Sequence, residues 1–331
     1  MDREQKSLRS QLRKVGLSEQ AIDAAWPTWW REELSDSASG RAELRFALAR
    51  KLGMSPRSLL GERVEFVWDD KAKFKHLTTE GEIDRAALIA FGSSIGRMLL
   101  AASDEVVSLA GMNAQFIRHE LLGSGEPFVN LQSLLNLCWG VGIPVIHLRV
   151  FPLEAKRMHA MVVSTAGRFA ILLGKDSQYP APVAFTLAHE LGHIASKHLD
   201  GAPALVDLQD PAHAKDPDAQ ETEADRFALQ LLTGREDPHI TTSEATFNAP
   251  TLAAAVIRAA SEYRVEPGTL ALCLAYRTGA WPQAMAAMKF IYGEGSPVWS
   301  KVNELAVDQL HFDRLAPESA DYLRNVIGAR D

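Results

Sequence analysis

Two histidines four positions apart, His189 and His193, stand in the stretch that most limits what this chain can fold into. On a helix, residues four apart project from the same face, so both imidazoles can bind one metal ion. Glu190 lies one step round the helix, where a carboxylate can take a proton from an attacking water. Apolar residues recur at helical spacing over residues 184–195, which predicts an amphipathic helix. Gly192 is unfavourable inside a helix, so we expect another part of the chain to need the space.

A second amphipathic stretch, residues 221–232, carries two acidic residues four apart, Glu221 and Asp225. A site with two histidine ligands needs one more protein ligand and an acceptor that orients a ligand histidine. Glu221 fits the first role and Asp225 the second. The alternative for this pair is an ordinary solvent-exposed helix face. Glu223 lies about 200° round the helix from Glu221, so we expect it to face solvent.

The two stretches 185–193 and 221–232 together resemble the ImmA/IrrE family of metallopeptidases. Residues 142–145 and 170–173 are similar to the paired strands that precede the metal helix in that family, so the resemblance covers about residues 80–235. Asp225 stands where many members carry Asn, and the Pro that usually follows the second stretch is absent.

The resemblance implies a small zincin fold and a cytoplasmic protease. Its metal would be Zn2+ or Mn2+, held by His189, His193 and Glu221, with Glu190 as the catalytic base and Asp225 behind a ligand. Known targets of the family are helix-turn-helix transcriptional repressors, which are cut at one site to release stress or mobile-element genes. An oxyanion-stabilising Tyr, His or Arg is also expected. The sequence does not rank its candidates, which are Tyr263, Tyr276, His239 and His213.

The pattern of helical and strand-like stretches predicts an α+β, mostly helical fold with three parts. A zincin-like metallopeptidase domain with a short β-sheet is expected at residues 77–236. It is flanked by a helical, helix-turn-helix-like domain at residues 1–76 and a helical C-terminal domain at residues 237–331. We expect residues 169–174 to be the edge strand to which a peptide substrate adds. Residues 200–220 are rich in Pro, Ala and Asp, which predicts a surface loop or, alternatively, a lid.

The N-terminal domain outlines a helix-turn-helix over residues 41–60, with Gly53 after one helix and Pro56 at the start of the next. The second helix meets Gly61 at once and is too short to read a major groove. Residues 1–76 hold 15 Lys and Arg against 12 Asp and Glu, a net charge of +3, whereas the whole chain carries −7. Because DNA affinity depends on neutralised phosphates, we predict weak or absent DNA binding and a packing or partner-docking role.

Composition bears on where in the cell the protein is expected to act. No apolar run approaches the roughly 20 residues of a membrane span, and the first residues lack the apolar segment of a signal peptide. The two cysteines, Cys138 and Cys273, are far apart in apolar runs, which predicts buried thiols. These features favour a cytoplasmic protein with no membrane partner.

We therefore predict a zinc-dependent endopeptidase that hydrolyses a peptide bond in a protein partner, a transcriptional repressor by the resemblance. One alternative is a regulatory DNA- or partner-binding protein with a structural or vestigial metal site. Glu190 argues against it, because a structural site needs no base. Another alternative is the protease component of a toxin–antitoxin or phage-defence pair. The sequence leaves open whether the chain forms a homo-oligomer.

Overall fold

A computed structural model describes residues 3–55, 72–75, 82–105, 109, 111–154, 158–208, 218–242 and 246–329. These residues are mostly helical and include one small mixed sheet, which confirms the predicted α+β class. Two short 3-10 helices, Glu32–Asp36 and Phe312–Arg314, accompany the α-helices. In chain order the described α-helices are α1 (Arg3–Lys14), α2 (Glu19–Ala25), α3 (Ala38–Leu52), α4 (Glu82–Ala101), α5 (Ala114–Gly123), α6 (Leu131–Gly140), α7 (Pro180–Ala195), α8 (Ala219–Thr233), α9 (Ala249–Tyr263), α10 (Pro267–Thr278), α11 (Trp281–Tyr292), α12 (Val298–Gln309) and α13 (Pro317–Ile327).

The sheet has the strand order β1-β5-β3-β4-β2. Strands β3 and β4 form an antiparallel hairpin, whose turn residues Ala166 and Gly167 both have positive φ, at 51° and 79°. β5 runs antiparallel to β3, β1 runs parallel to β5, and β2 runs parallel to β4. The strands are β1 (Lys73–Lys75), β2 (Val145–His147), β3 (Ala160–Thr165), β4 (Arg168–Leu173) and β5 (Ala204–Asp207).

Two expectations about this sheet were wrong. The proposed edge strand at residues 169–174 lies inside the sheet, because the buried apolar residues of β2 pair with it on the side away from β3. The edges of the described sheet are β1 and β2. Residues 204–207, predicted as part of a surface loop, instead form the buried strand β5. Residues 209–217, which include His213, lie outside the described part of the chain.

Side chains alternate across the sheet and fill two apolar layers. In β3, Met161 and Val163 face the layer that contains α4, where Gly92 and Gly96 leave room for them. The intervening Val162 faces the layer that contains α7. The same alternation in β5 puts Val206 on the α4 side and Leu205 on the α7 side. By this parity Asp207, two residues after Leu205, faces the α7 side.

The three N-terminal helices pack against the α4 side of the sheet. Their buried leucines, including Leu12 and Leu48, share one apolar cluster with Met161 of β3 and Tyr322 of α13. The first helix of the predicted helix-turn-helix is α3, which ends at Gly53 with φ 71°. The second helix at 57–60 lies outside the described residues, so the helix-turn-helix stays a prediction.

The described part of the C-terminal region is helical, but its helices join different parts of the core. Helices α9, α10 and α11 form an apolar cluster of their own. Asn303 of α12 holds β2: its amide oxygen accepts from the His147 backbone N–H, and its amide nitrogen donates to the His147 carbonyl. Helix α13 packs near α2 within the N-terminal cluster. The domain boundaries at 76/77 and 236/237 stay predictions.

Two expectations from composition can be compared with the structure. Cys138 and Cys273 are free and buried, as predicted, and burial raises the pKa of the Cys273 thiol to about 12. Among the described residues, no helix is both long and apolar enough to cross a membrane.

Candidate metal centre

Four buried side chains from three elements meet between the sheet and α8. His189 and His193 come from α7, Glu221 from the first turn of α8, and Asp207 from the end of β5. At most 2% of any of the four residues is exposed. One potential ligand atom from each residue lies within 4.8 Å of all the others. The structure thus brings together the three predicted ligands and adds a carboxylate that the sequence did not single out.

The distances between several of these atoms are close to those in a tetrahedral metal site. The two Nε2 atoms of His189 and His193 are 3.0 Å apart, and the Glu221 carboxylate oxygens lie 3.3 and 3.4 Å from them. Asp207 Oδ2 lies 3.5 Å from His189 Nε2. In a tetrahedral zinc site with bonds of about 2.0–2.1 Å, neighbouring donor atoms are about 3.3–3.4 Å apart. The donor set of two imidazoles and carboxylates is also one that Zn2+ accepts.

Helices α7 and α8 can bring their ligands together because they cross closely at Gly192. A Cβ atom on Gly192 would lie 3.0 Å from the Cα atom of Ala224 in α8, so a larger side chain would press on that backbone. This confirms the expectation that another element needs the space. The start of α8 is fixed by Asp218, whose side chain accepts a hydrogen bond from the Glu221 backbone N–H at 2.9 Å. Glu221 is therefore held in the first turn, facing α7.

Asp225 lies behind the first histidine, as the sequence proposed. Its Oδ1 is 2.9 Å from Nδ1 of His189. An Nδ1–H that donates to this carboxylate leaves the Nε2 lone pair of His189 facing the cluster. Burial lowers the pKa of His189, but the neighbouring carboxylates Asp207, Asp225 and Glu221 outweigh it and raise the pKa well above its usual range. The same negative field favours a cation at this point.

A second chain of hydrogen bonds, which the sequence did not predict, lies behind His193. Its Nδ1 is 2.9 Å from Nδ1 of His198, and Nε2 of His198 is 3.1 Å from Glu223 Oε2. If His198 donates from Nε2 to Glu223, its Nδ1 accepts from His193, and the Nε2 lone pair of His193 faces the cluster. The Glu223 side chain is 62% exposed, as expected, but its carboxylate is engaged, and the His198 hydrogen bond lowers its pKa.

His198 lies five positions beyond His193, and on a continuous helix it would point away from the ligand side. The helix instead ends at Ala195. Lys197 then adopts a positive φ of 59°, and the His198 backbone N–H bonds to the His193 carbonyl at 2.9 Å. This tight turn returns His198 to the ligand. Helical periodicity alone cannot predict such a reversal.

Glu190 and Asp207 are both fully buried beside the ligands. Burial, followed by the charge of Asp207, raises the pKa of Glu190 well above its usual range. Burial also raises the pKa of Asp207, but the imidazoles of His189 and His193 outweigh it and the net pKa is low. Within the described residues, neither carboxylate has a hydrogen-bond donor of good geometry. Since a buried charge needs a partner, this cluster fits a bound cation.

Three of the four candidate oxyanion donors lie outside this cluster, and the fourth, His213, is not among the described residues. Tyr263 and Tyr276 are more than half exposed, on α9 and α10. His239 is exposed and lies 3.6 Å from Asp237.

Comparison with known protein families gives a match in the central part of the chain. Residues 142–271 match the family model Peptidase_M78, the IrrE N-terminal-like domain. The matched range begins just before β2, contains α7, β5 and α8, and ends within α10. All four clustered residues lie inside it. Searches of curated proteins and of solved structures gave no significant match.

Proposed function

We propose that the chain is a zinc-dependent endopeptidase that cuts a peptide bond in a protein partner, since residues 142–271 match the IrrE N-terminal-like domain of Peptidase_M78. One observation carries this proposal most directly. His189, Glu190 and His193 on one helix meet Glu221 of a second helix in a buried cluster within the matched range. A purely structural metal site would have no use for a buried Glu190 beside its ligands.

In this proposal His189, His193 and Glu221 hold the metal ion. The ion, when bound, polarises the scissile carbonyl and lowers the pKa of the attacking water. Nitrogen and oxygen donors of this kind also suit Mn2+.

The catalytic base is Glu190. It takes the proton from the attacking water and passes it to the leaving nitrogen. Its burial excludes bulk water from this transfer. Asp225 and His198 position the two imidazoles by accepting their Nδ1–H groups, so both rings present a lone pair to the same point.

By the family resemblance, we propose that the partner is a helix-turn-helix transcriptional repressor in the cytoplasm, cut in a stress response or in mobile-element regulation. The N-terminal helices would serve packing or docking, with weak or absent DNA binding. Residues 1–76 carry only the modest net charge of +3, which offers few phosphate contacts.

The test is to co-express the wild-type chain, Glu190→Gln and His189→Ala with candidate repressors from the same genome. New protein termini are then identified by mass spectrometry, and the metal content of each purified chain is measured. We expect cleavage only with the wild type. Glu190→Gln should keep about one metal per chain, because Glu190 is a base, and His189→Ala should lose it. The assignment fails if Glu190→Gln is as metal-free as His189→Ala, or if it still cuts the partner.

A further inference from the structure

Asp207 is a buried carboxylate that the proposed reaction leaves without a role. Its backbone is held on both sides, since it pairs with Lys75 of β1 and with Ala160 of β3. Its carbonyl also accepts a hydrogen bond from the His159 backbone N–H at 2.8 Å. The alternation of β5 directs the side chain to the α7 side, where the ligands lie. The strand thus delivers this carboxylate to the cluster.

In the described part of the chain, no Lys or Arg pairs with the Asp207 side chain. Asp207 is 0% exposed, and within the described residues neither carboxylate oxygen receives a well-aligned hydrogen bond. Among the described residues its ion-pair partner is His189, whose Nε2 lies 3.5 Å away, and its carboxylate also contacts that of Glu190. A buried carboxylate needs a partner, and an imidazole that gives its Nε2 lone pair to a metal is neutral, so the charge of the metal would take over this role. The geometry therefore favours a cation that binds beside His189 Nε2 and contacts Asp207.

We propose that Asp207 is a fourth protein ligand, so that the metal site of the resting chain is closed by its own β5 strand. The 3.5 Å between Asp207 Oδ2 and His189 Nε2 is close to the edge of a zinc tetrahedron, about 3.3–3.4 Å for bonds of 2.0–2.1 Å. Four protein ligands are the pattern of closed zinc sites, and three with an open position are the pattern of catalytic ones. This inference rests on the proposed metallopeptidase function and adds a regulated state to it.

The position of Asp207 explains why closure would block hydrolysis. Its carboxylate also interacts with that of Glu190. The attacking water has to stand beside Glu190, within reach of the metal, and Asp207 occupies that side of the cluster. The carboxylate and the water therefore compete for one place. Hydrolysis requires Asp207 to withdraw, which makes the resting chain a latent peptidase.

The test measures access to the metal in the full-length, Co2+-loaded protein. Acetohydroxamate, which binds such metals through two oxygens, is titrated while the visible absorption bands of Co2+ are recorded. The variants are Asp207→Asn, which keeps the shape of the side chain, and Asp207→Val, which suits a buried strand position and cannot bind metal. Asp225→Asn is the matched control, since it also removes one carboxylate that contacts His189, but on the Nδ1 side of the ring.

If Asp207 fills the fourth position in about nine chains of ten, its removal should tighten acetohydroxamate binding about tenfold. Both Asp207 variants should show this, together with changed Co2+ bands, whereas Asp225→Asn should not tighten acetohydroxamate binding. Unchanged hydroxamate affinity in the Asp207 variant that folds overturns the inference, and so does an equal gain in Asp225→Asn. A wild-type chain that binds neither Co2+ nor Zn2+ overturns the proposed function as well. A wild type that binds one ion but gains nothing from the substitutions overturns the closure alone.

Discussion

At the scale of single residues, the third ligand depends on which carboxylate of α8 faces the histidines. Glu221 is 2% exposed and lies 3.3–3.4 Å from both imidazoles, whereas the Glu223 side chain is 62% exposed. We expect Glu221→Gln to lose most Zn2+ affinity, because an amide is a poor ligand. Glu223→Gln, two residues away, should change the affinity less than about threefold, since exposed pairs contribute little. Competition with a chromophoric chelator measures both constants, and a larger loss in Glu223→Gln would contradict the ligand assignment.

The residue behind His193 leads to a second prediction. His198 is 3% exposed, and its Nδ1 is the group that can accept the Nδ1–H of His193. Losing a partner that orients a ligand histidine typically costs 10–100-fold in metal affinity. We expect His198→Ala to weaken Zn2+ binding by roughly tenfold or more, and to do so without removing the ion at saturating Zn2+. Equal affinities in the wild type and His198→Ala, measured with the same chelator, would show that this contact does not position the ligand.

At the scale of elements, the crossing of α7 and α8 sets the distance between ligands. In Gly192→Ala the new methyl group meets the α8 backbone at Ala224, about one turn beyond Glu221. Overpacking costs about 1–3 kcal/mol, while the gain in helix propensity returns about 1 kcal/mol. The free energy of unfolding of the metal-free chain should therefore fall by about 0–2 kcal/mol, and metal affinity should fall because Glu221 is displaced.

Gly140→Ala is the control for that crossing. Gly140 ends α6, and a Cβ there would meet nothing within 4 Å. We expect Gly140→Ala to be neutral or stabilising by up to about 1 kcal/mol, with unchanged metal affinity. Thermal unfolding of the metal-free proteins and Zn2+ titration separate the two effects. If both variants bind Zn2+ like the wild type, α7 and α8 do not need their close approach to hold the metal.

The sequence predicted those elements whose signals are local. Helix α7, helix α8 and the β3–β4 hairpin follow from apolar spacing and turn residues, and with them come His189, His193, Glu221 and Asp225. Asp207 could not be found this way, because β5 is four residues long and its strand character depends on pairing with β1 and β3. The edge of the sheet was misplaced for a similar reason. Which strands lie side by side is decided by contacts between distant parts of the chain.

At the scale of the whole molecule, the described N-terminal helices share an apolar cluster with the sheet and the last helix. Leu48 of α3, Met161 of β3 and Val326 of α13 are all fully buried in it. Ser18, the N-cap of α2, also bonds through its hydroxyl to the Phe151 carbonyl at 2.6 Å. A cluster that spans such distant segments couples their unfolding. A substitution that destabilises the N-terminal helices should therefore also lower the urea concentration at which the metal centre, on the far side of the sheet, releases its ion.

The final prediction measures that coupling with two neighbouring positions of α3. Leu48 is 0% exposed, whereas Phe46 on the same helix is 49% exposed. Leu48→Ala should lower the free energy of unfolding by about 2–5 kcal/mol through lost burial and a cavity. Phe46→Ala should change it by about 0.5 kcal/mol or less. Urea unfolding of the Zn2+-loaded chains is followed by circular dichroism and, in the same samples, by release of zinc to a colorimetric chelator.

If the core is continuous, Leu48→Ala moves the urea midpoints of the circular dichroism change and of zinc release to lower urea together. Phe46→Ala should move neither midpoint. An independently folding N-terminal domain predicts a different pattern, in which Leu48→Ala shifts part of the circular dichroism transition and zinc is released where the wild type releases it. That pattern would place a thermodynamic boundary between α3 and the sheet, near the predicted division at residue 76. Coincident shifts would instead mean that a partner docking on the N-terminal helices can influence the metal centre through the packing of the sheet.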